Sequence, residues 1–450
     1  MEKNAKKVTL FSITWPILVE VFLYMLLGTV DVLMLGKYSD DAVGAVGVAN
    51  QVMGLSGILF NVITSGTAII CAQYIGAGRT NKEKNRLVGT AVQINAIAGV
   101  LMSVVMYIFA EQLLRFMSLD ESLMAYGVGY MKTVGGFIFM QAISSTFTAV
   151  LRAHGKTKIC MIITIVMNVI NVALNYVLIF GIGPIPSLGV EGAARATVIS
   201  KIVAFVALGF VMFKTVIREF EIKNLILISK YEMGKILALG IPSAGETISY
   251  NLAQIVITKI INSIGKSANI ANSYISTITN YNYVFAVAIA QGTAILIGWK
   301  VGAGKKEEAY KLCISSFWKG MAVCMAITVA CAFGGKYILS FFTNDETIIK
   351  LGMIIFVIDI LNEAGRVANL VIINALRAAG DVKFPVVVGI LSMWGISVLF
   401  AYVFGIGLEW GAVGVWFAKG IDEAVRGVVM YIRWKTKKWQ KYATAVSEDN

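Results

Sequence analysis

Acids and amides stand in stretches of this chain that are otherwise apolar. Glu20 and Asp31 lie in the run LFSITWPILVEVFLYMLLGTVDVLMLG over residues 10–36. They are eleven residues apart, close to three helical turns, so both point to nearly one face with Tyr24 between them. Thr164, Asn168, Asn171 and Asn175 recur at i, i+4, i+7 and i+11 in the run 159–181, again one face. An acid at membrane depth costs about 2.5–3.5 kcal/mol even on mild insertion scales, and a buried carboxylate invites a proton or a cation. One carboxylate among amide and hydroxyl oxygens suits Na+, whereas a proton needs only the carboxylate, so both ions stay open. A single Ser or Thr in such a helix serves interhelical hydrogen bonding, worth about 0.6 kcal/mol. The three-asparagine stripe is open between that role and cation binding.

A second polar set lies in the later half. Asp359, Glu363, Arg366 and Asn369 share a face of the run 347–375. Glu363 and Arg366 are close enough to pair, and Glu246 is a candidate to join them. A structural ion pair and a gate or second coupling site are both open for this set. Further residues assigned to a substrate cavity are Glu20, Tyr24, Gln141, Asn168, Tyr250 and Asn280.

The elements that must hold these side chains follow from composition. Of 450 residues, 58% are hydrophobic and 14% charged, against about 25% charged in a soluble domain. The expected fold class is therefore an all-α integral membrane protein. Twelve apolar runs stand out, at 10–36, 46–75, 87–110, 124–150, 159–181, 190–213, 234–264, 270–301, 309–334, 347–375, 383–404 and 411–433. All are too long and continuous for strands and are expected as transmembrane helices. The first is too long for a secretory signal and lacks an Ala-x-Ala exit, so it is expected to stay as the first helix.

The net charge of +13 does not point to nucleic acid, because Lys and Arg fall in short clusters between the runs. One alternate set of connections is the amino terminus, the 76–86 and 152–158 loops, 214–235, 300–311, 377–383 and the tail. It holds 26 Lys and Arg, and the opposite set holds five. The positive-inside rule makes the first set cytoplasmic, with both termini inside. The mixed-charge stretch 214–235 is expected as a linker between a lobe at 1–213 and a lobe at 236–450 with its basic tail. Lys132, Arg195, Lys201, Lys259, Lys319, Lys419 and Arg426 fall within helices, and some are expected to snorkel. Cys71, Cys160, Cys313, Cys324 and Cys331 form no CxxC pair and read as small core residues. His154 reads as a solvated loop residue. No Walker loop, HExxH, GxSxG or metal-ligand spacing occurs, so neither an enzyme nor a bound cofactor is expected, and the one metal in question is Na+ at Asp31.

The halves repeat. Pro16-x-x-x-Glu20 is echoed by Pro242-x-x-x-Glu246, and Gly66-Thr-Ala-Ile with Gly76-Ala-Gly78 by Gly292-Thr-Ala-Ile with Gly302-Ala-Gly304, all at an offset of 226. Leu151-Arg152-Ala153-x-Gly155 returns as Leu376-Arg377-Ala378-x-Gly380, and Gly192-Ala193-Ala194 loosely as Gly411-Ala412-Val413. A six-helix half begins and ends on one side, so the repeats are expected to be parallel, as in transporters that expose a central site to each side in turn. Asp31 has no twin, since the matching position is Ile257.

The pattern Thr29-Val30-Asp31-x-x-x-x-Gly36, the Gly76-Ala-Gly78 loop, Leu151-Arg152-Ala153-x-Gly155, Asn171-x-x-x-Asn175-Tyr176 and Gly192-Ala193-Ala194-x-Ala196-Thr197 together resemble the multidrug and toxic compound extrusion (MATE) transporters. The resemblance covers the whole chain. It implies two six-helix bundles forming a V-shaped cavity in a bacterial cytoplasmic membrane. It also implies efflux of cationic or amphipathic small molecules in exchange for inward H+ or Na+, by a protein working as a monomer. Asp31 matches the family's coupling aspartate, Asn171 and Asn175 the polar pair facing it, and Thr197 a nearby position. The NorM-like branch has a glutamate eight residues after the proline of its seventh helix, where this chain has Tyr250. The chain is therefore more similar to the DinF-like branch. A lipid-linked oligosaccharide flippase of related fold is the alternative. It would line its cleft with Arg and Lys, whereas the clearest candidates here are acids, with Arg366 and the other buried bases as exceptions. A receptor or a membrane enzyme is a further alternative, against which the duplicated halves count.

Overall fold

The computed structural model describes residues 8–217 and 228–443. Lys3, Lys6 and Lys7, the middle of the 214–235 linker and the end of the tail lie outside the described residues.

Each apolar run is helical, and the runs 124–150 and 383–404 are interrupted by π segments. In chain order these are α1 (Leu10–Tyr38), α2 (Asp40–Gly76), α3 (Asn81–Ile108) and the short α4 (Ala110–Phe116). Next come α5 (Met124–Tyr130), α6 (Ile138–Ala153), α7 (Thr157–Phe180) and α8 (Gly189–Thr215). The later half holds α9 (Lys230–Ile264), α10 (Lys266–Gly302), α11 (Lys306–Ser340), α12 (Glu346–Ala378), α13 (Lys383–Ser392), α14 (Leu399–Tyr402) and α15 (Gly411–Lys435). Among the described residues the sole extended pairing is an isolated bridge between Ile182 and Ile185. Helices are the form that satisfies every backbone group inside hydrocarbon.

Eight of these spans are long and apolar enough to cross a membrane, and a ninth forms if the pair Glu121–Gly135 and Ile138–Ala153, bent by 45°, is taken as one. The bend falls after a π segment at Met131–Gly135, where Gly135 and Gly136 leave the backbone unbraced. The three expected spans that are long but more polar are α9, α12 and α15, and these carry Glu246, Asp359 with Glu363 and Arg366, and Asp422 with Glu423 and Arg426.

The repeated glycines have physical reasons. Gly78 and Gly304 close the loops after α2 and α10 with φ of 65° and 71°, and Gly155 and Gly380 do the same after α6 and α12 with φ of 72° and 93°. A side chain is strained in that left-handed region. At the start of α3, Thr80 and Glu83 form a reciprocal capping box.

The chain divides into two units. One comprises Val19–Cys71 and Arg79–Ile241; the other comprises Met1–Leu18, Ala72–Gly78 and Pro242–Asn450. We call them the amino and carboxy units. The amino unit packs α3 on α6 and α7 on α8, around a core that includes Leu35, Val46, Met106, Met131 and Ile179. In the carboxy unit α12 is central and packs on α10, α11 and α15. There the end of α2 meets the end of α10 at backbone distance. A Cβ on Gly76 would stand 2.0 Å from the Trp299 carbonyl oxygen, and one on Gly302 would stand 2.0 Å from that of Gln73. These four positions are related by the same offset of 226 residues, so the repeat builds one contact twice.

His154 differs from its expected solvated state. It is half-buried, its Nδ1–H donates to the Val150 carbonyl at 2.9 Å, and Cys71 Sγ lies 3.9 Å away. Burial pushes its pKa below the usual 6.5, against the raising effect of that hydrogen bond, and nearby Lys84 and Lys156 add to the lowering.

Candidate functional site

In the amino unit, α1, α7 and α8 bring one carboxylate to a line of amides and hydroxyls. Asn175 Nδ2 donates to Asp31 Oδ1 at 2.6 Å and to Asn171 Oδ1 at 2.9 Å. Asn171 Nδ2 then donates to Ser200 Oγ at 3.3 Å, and Ser200 in turn donates to the carbonyls of Ala196 and Thr197. The i, i+4 spacing of Asn171 and Asn175 is what makes this chain continuous along one helix face. Asn175 Oδ1 is buried with no hydrogen-bond partner. Such an oxygen is costly to leave unmatched, and it stands beside an acid whose described hydrogen bond comes from a neutral amide. The donor set of carboxylate, amide and hydroxyl oxygens is the kind a hard monovalent cation takes, and the carboxylate alone suffices for a proton.

Thr197 and Asn50 lie against the hydroxyl of the buried Tyr130, which also feels the Asp31 charge. Tyr130, Asn50 and Ser200 did not stand out in the sequence. Ser200 was detectable as the residue one turn beyond Thr197 on α8. Asn168 has a different place: its Nδ2 donates to the Leu23 carbonyl at 3.0 Å and ties α7 to α1. Lys201, expected among the snorkelling bases, instead donates from Nζ to Gln141 Oε1 of α6 at 3.0 Å, and its charge acts on Asp31 through space.

Glu20 has a partner of its own. Arg152 Nη2 lies 2.8 Å from Glu20 Oε2, with the Glu20 side chain 2% exposed, and Tyr24 and Thr164 lie alongside. The carboxy unit repeats the arrangement: Arg377 Nη2 lies 2.6 Å from Glu246 Oε2. The Pro-x-x-x-Glu and Leu-Arg-Ala motifs thus meet in each half. Glu246 belongs to this pair, and the sequence-based suggestion that it joins Glu363 and Arg366 is corrected.

The remaining carboxy-unit charges cluster on α12 and α15. Arg366 Nη1 stands 3.0 Å from Glu363 Oε2, and Asn362 Nδ2 donates to Asp359 Oδ1 at 2.7 Å. On α15, Arg426 Nη2 binds Asp422 at 2.9 Å and Glu423 at 2.6 Å. Asn369 Nδ2 donates to Glu423 Oε2 and Ser392 Oγ to Asp422 Oδ1, each at 2.5 Å. Lys419 lies 4.2 Å from the Trp416 ring centroid, and Tyr250 and Tyr283 face Arg366 and Glu423. Asp422 and Glu423 were missed from sequence. Their signal was two acids three and four residues before Arg426 inside an apolar run. Asn280 is exposed on α10.

Comparison with known proteins follows the same division. The family model MatE matches twice, at residues 16–177 and 242–403, with both ends of the second match 226 residues beyond the first. The chain is 39% identical over 440 residues to an uncharacterized transporter, YisQ, of Bacillus subtilis (strain 168), covering 98% of this chain and 96% of that one. It is 25% identical over 440 residues to a probable multidrug resistance protein, NorM, of Thermotoga maritima, covering 98% and 94%. Its fold is that of the Vibrio cholerae MATE transporter VcmN in the bent form, with a TM-score of 0.87 at 18% identity over 97% of each chain.

Proposed function

The chain belongs to the MatE family of multi-pass membrane transporters, which are not enzymes, and on that premise we propose that it is a secondary antiporter. It exports cationic, amphipathic small molecules, drugs or toxic metabolites, in exchange for inward H+ or Na+. The observation that carries this reading is the Asp31 carboxylate, bound at 2.6 Å by Asn175, whose own Oδ1 is left unmatched. With Asp31 ionised, the amino unit accepts the cationic group of a substrate. Arrival of H+ or Na+ at Asp31, assisted by Asn171, Asn175 and Thr197, cancels that attraction and releases the substrate. The relatives named for multidrug resistance support export as the direction.

Within this reading the chain works as two six-helix lobes, 1–213 and 236–450, joined by the linker 214–235, by alternating access in a bacterial plasma membrane with both termini in the cytoplasm. The Glu363 and Arg366 pair acts as a structural ion pair, its groups 3.0 Å apart, while Asp359, whose described donor is the neutral Asn362, is the candidate for a second coupling site. Expression in a drug-hypersensitive bacterial host tests the assignment. Wild-type protein raises resistance to cationic dyes, and Asp31→Asn abolishes it at unchanged membrane abundance. Full resistance in the Asp31→Asn strain would sink the assignment.

A further inference from the structure

Lys201 gives the amino-unit site a second charge of opposite sign. It lies midway along α8, one turn beyond Thr197 and next to Ser200. An ammonium at the middle of a membrane span costs about 2.5–3.5 kcal/mol on mild insertion scales unless it snorkels to an interface. Its Nζ instead reaches across to Gln141 Oε1 on α6 at 3.0 Å. Gln141 is exposed and Lys201 half-buried, so the pair borders accessible space. An ammonium carries three donors, and the described polar contact uses one, to a neutral amide. Among the described residues the one carboxylate whose field reaches Lys201 is Asp31. Asp31 in turn has Asn175 as its hydrogen-bond donor and Lys201 as the cation acting on it.

We propose that Lys201 is a specificity-determining residue that selects zwitterionic substrates, taking their acidic group while Asp31 takes their ammonium. This rests on the antiport reading above and narrows its substrate class. With both side chains charged the site has no net charge, so a purely cationic molecule gains from Asp31 but is repelled by Lys201. A molecule carrying both an ammonium and a carboxylate, sulfonate or phosphate satisfies each in turn. Exchange still works, because H+ or Na+ arriving at Asp31 displaces the ammonium and leaves the acid held at one point only.

The test is equilibrium binding of three dansyl probes to purified full-length protein, read by dansyl fluorescence. Nε-dansyl-lysine is zwitterionic, its methyl ester is cationic, and its Nα-acetyl derivative is anionic. Wild-type protein binds the zwitterion about tenfold or more tightly than either relative, the weight of one partly desolvated charge contact. Lys201→Met erases the preference over the ester, and Lys201→Arg, which keeps the charge, retains it. Equal affinity of wild-type protein for zwitterion and ester would overturn the proposal, as would a preference that survives in Lys201→Met or a zwitterion that does not bind. The wild-type comparison needs no variant to fold. Failure of the antiport reading appears in a separate measurement, as gradient-independent movement of the methyl ester in proteoliposomes, and leaves the binding ratio as an independent readout.

Discussion

Asp31 and Glu20 share a helix face, the repeat sets them apart because Glu20 has a twin in Glu246 and Asp31 has none, and their partners differ too. Glu20 meets a guanidinium at 2.8 Å, whereas Asp31 meets an amide at 2.6 Å. A carboxylate paired with a guanidinium is held, and one whose hydrogen-bond donor is a neutral amide exchanges a cation more readily. The first behaves as structure. Removing one partner of a buried ion pair costs about 3–5 kcal/mol, so Glu20→Gln or Arg152→Met is expected to lower the melting temperature in detergent. The double substitution is expected to recover part of the loss, because no unpaired charge remains. Thermal melting of the three variants checks this, and additive losses would contradict it. Asn175→Ala takes the donor from both Asp31 and Asn171, so it is expected to lower the melting temperature modestly while export of a cationic dye falls about tenfold or more, the weight of one charge-assisted hydrogen bond. The Asp31 and asparagine pattern was legible because period 3.6 repeats over four polar positions. The Glu20–Arg152 pair was not, because Arg152 lies far along the chain in a stretch that reads as a basic loop. Lys201 was read as snorkelling, since sequence alone does not show that Gln141 stands opposite it.

At the scale of elements, the helices followed from apolar length, though several start or end up to six residues outside their apolar runs, and the repeated glycines marked ends that need positive φ. What sequence could not supply was the partner of each close approach. Gly76 and Gly302 are small because a backbone carbonyl stands where their Cβ would be, at 2.0 Å in both cases. Gly76→Ala and Gly302→Ala are each expected to reduce folded, monodisperse protein sharply, since overpacking costs about 1–3 kcal/mol even where side chains can yield. A carbonyl yields less. Size-exclusion profiles of the two variants check this, and wild-type profiles would contradict it. The end of α6 carries a pH dependence. His154 has a folded pKa below 6.5, so in the window between that value and 6.5 the unfolded chain binds more protons. Stability therefore falls as pH drops through the window and is level above it. His154→Gln is expected to flatten the fall in melting temperature as pH drops below 6.5; an unchanged slope would contradict the assignment.

Over the whole molecule, duplication and asymmetry coexist. The Glu–Arg pair and the glycine contact occur twice at matching positions, yet Asp31 is replaced by Ile257 at the matching position of the second half. The duplicated plan was readable from motif offsets. The charge cluster of α12 and α15 was not, because Asp422 and Glu423 sit in a run otherwise apolar enough to pass as an ordinary span. The central claim is that export is coupled to a cation through Asp31. It is tested most directly in proteoliposomes that hold a cationic dye, with a Na+ gradient or a pH gradient imposed separately across the membrane. Dye movement driven by one of the two gradients, and abolished by Asp31→Asn while Glu363→Gln retains it, is the result expected. Movement that ignores both gradients, or that continues at full rate in Asp31→Asn, would contradict it.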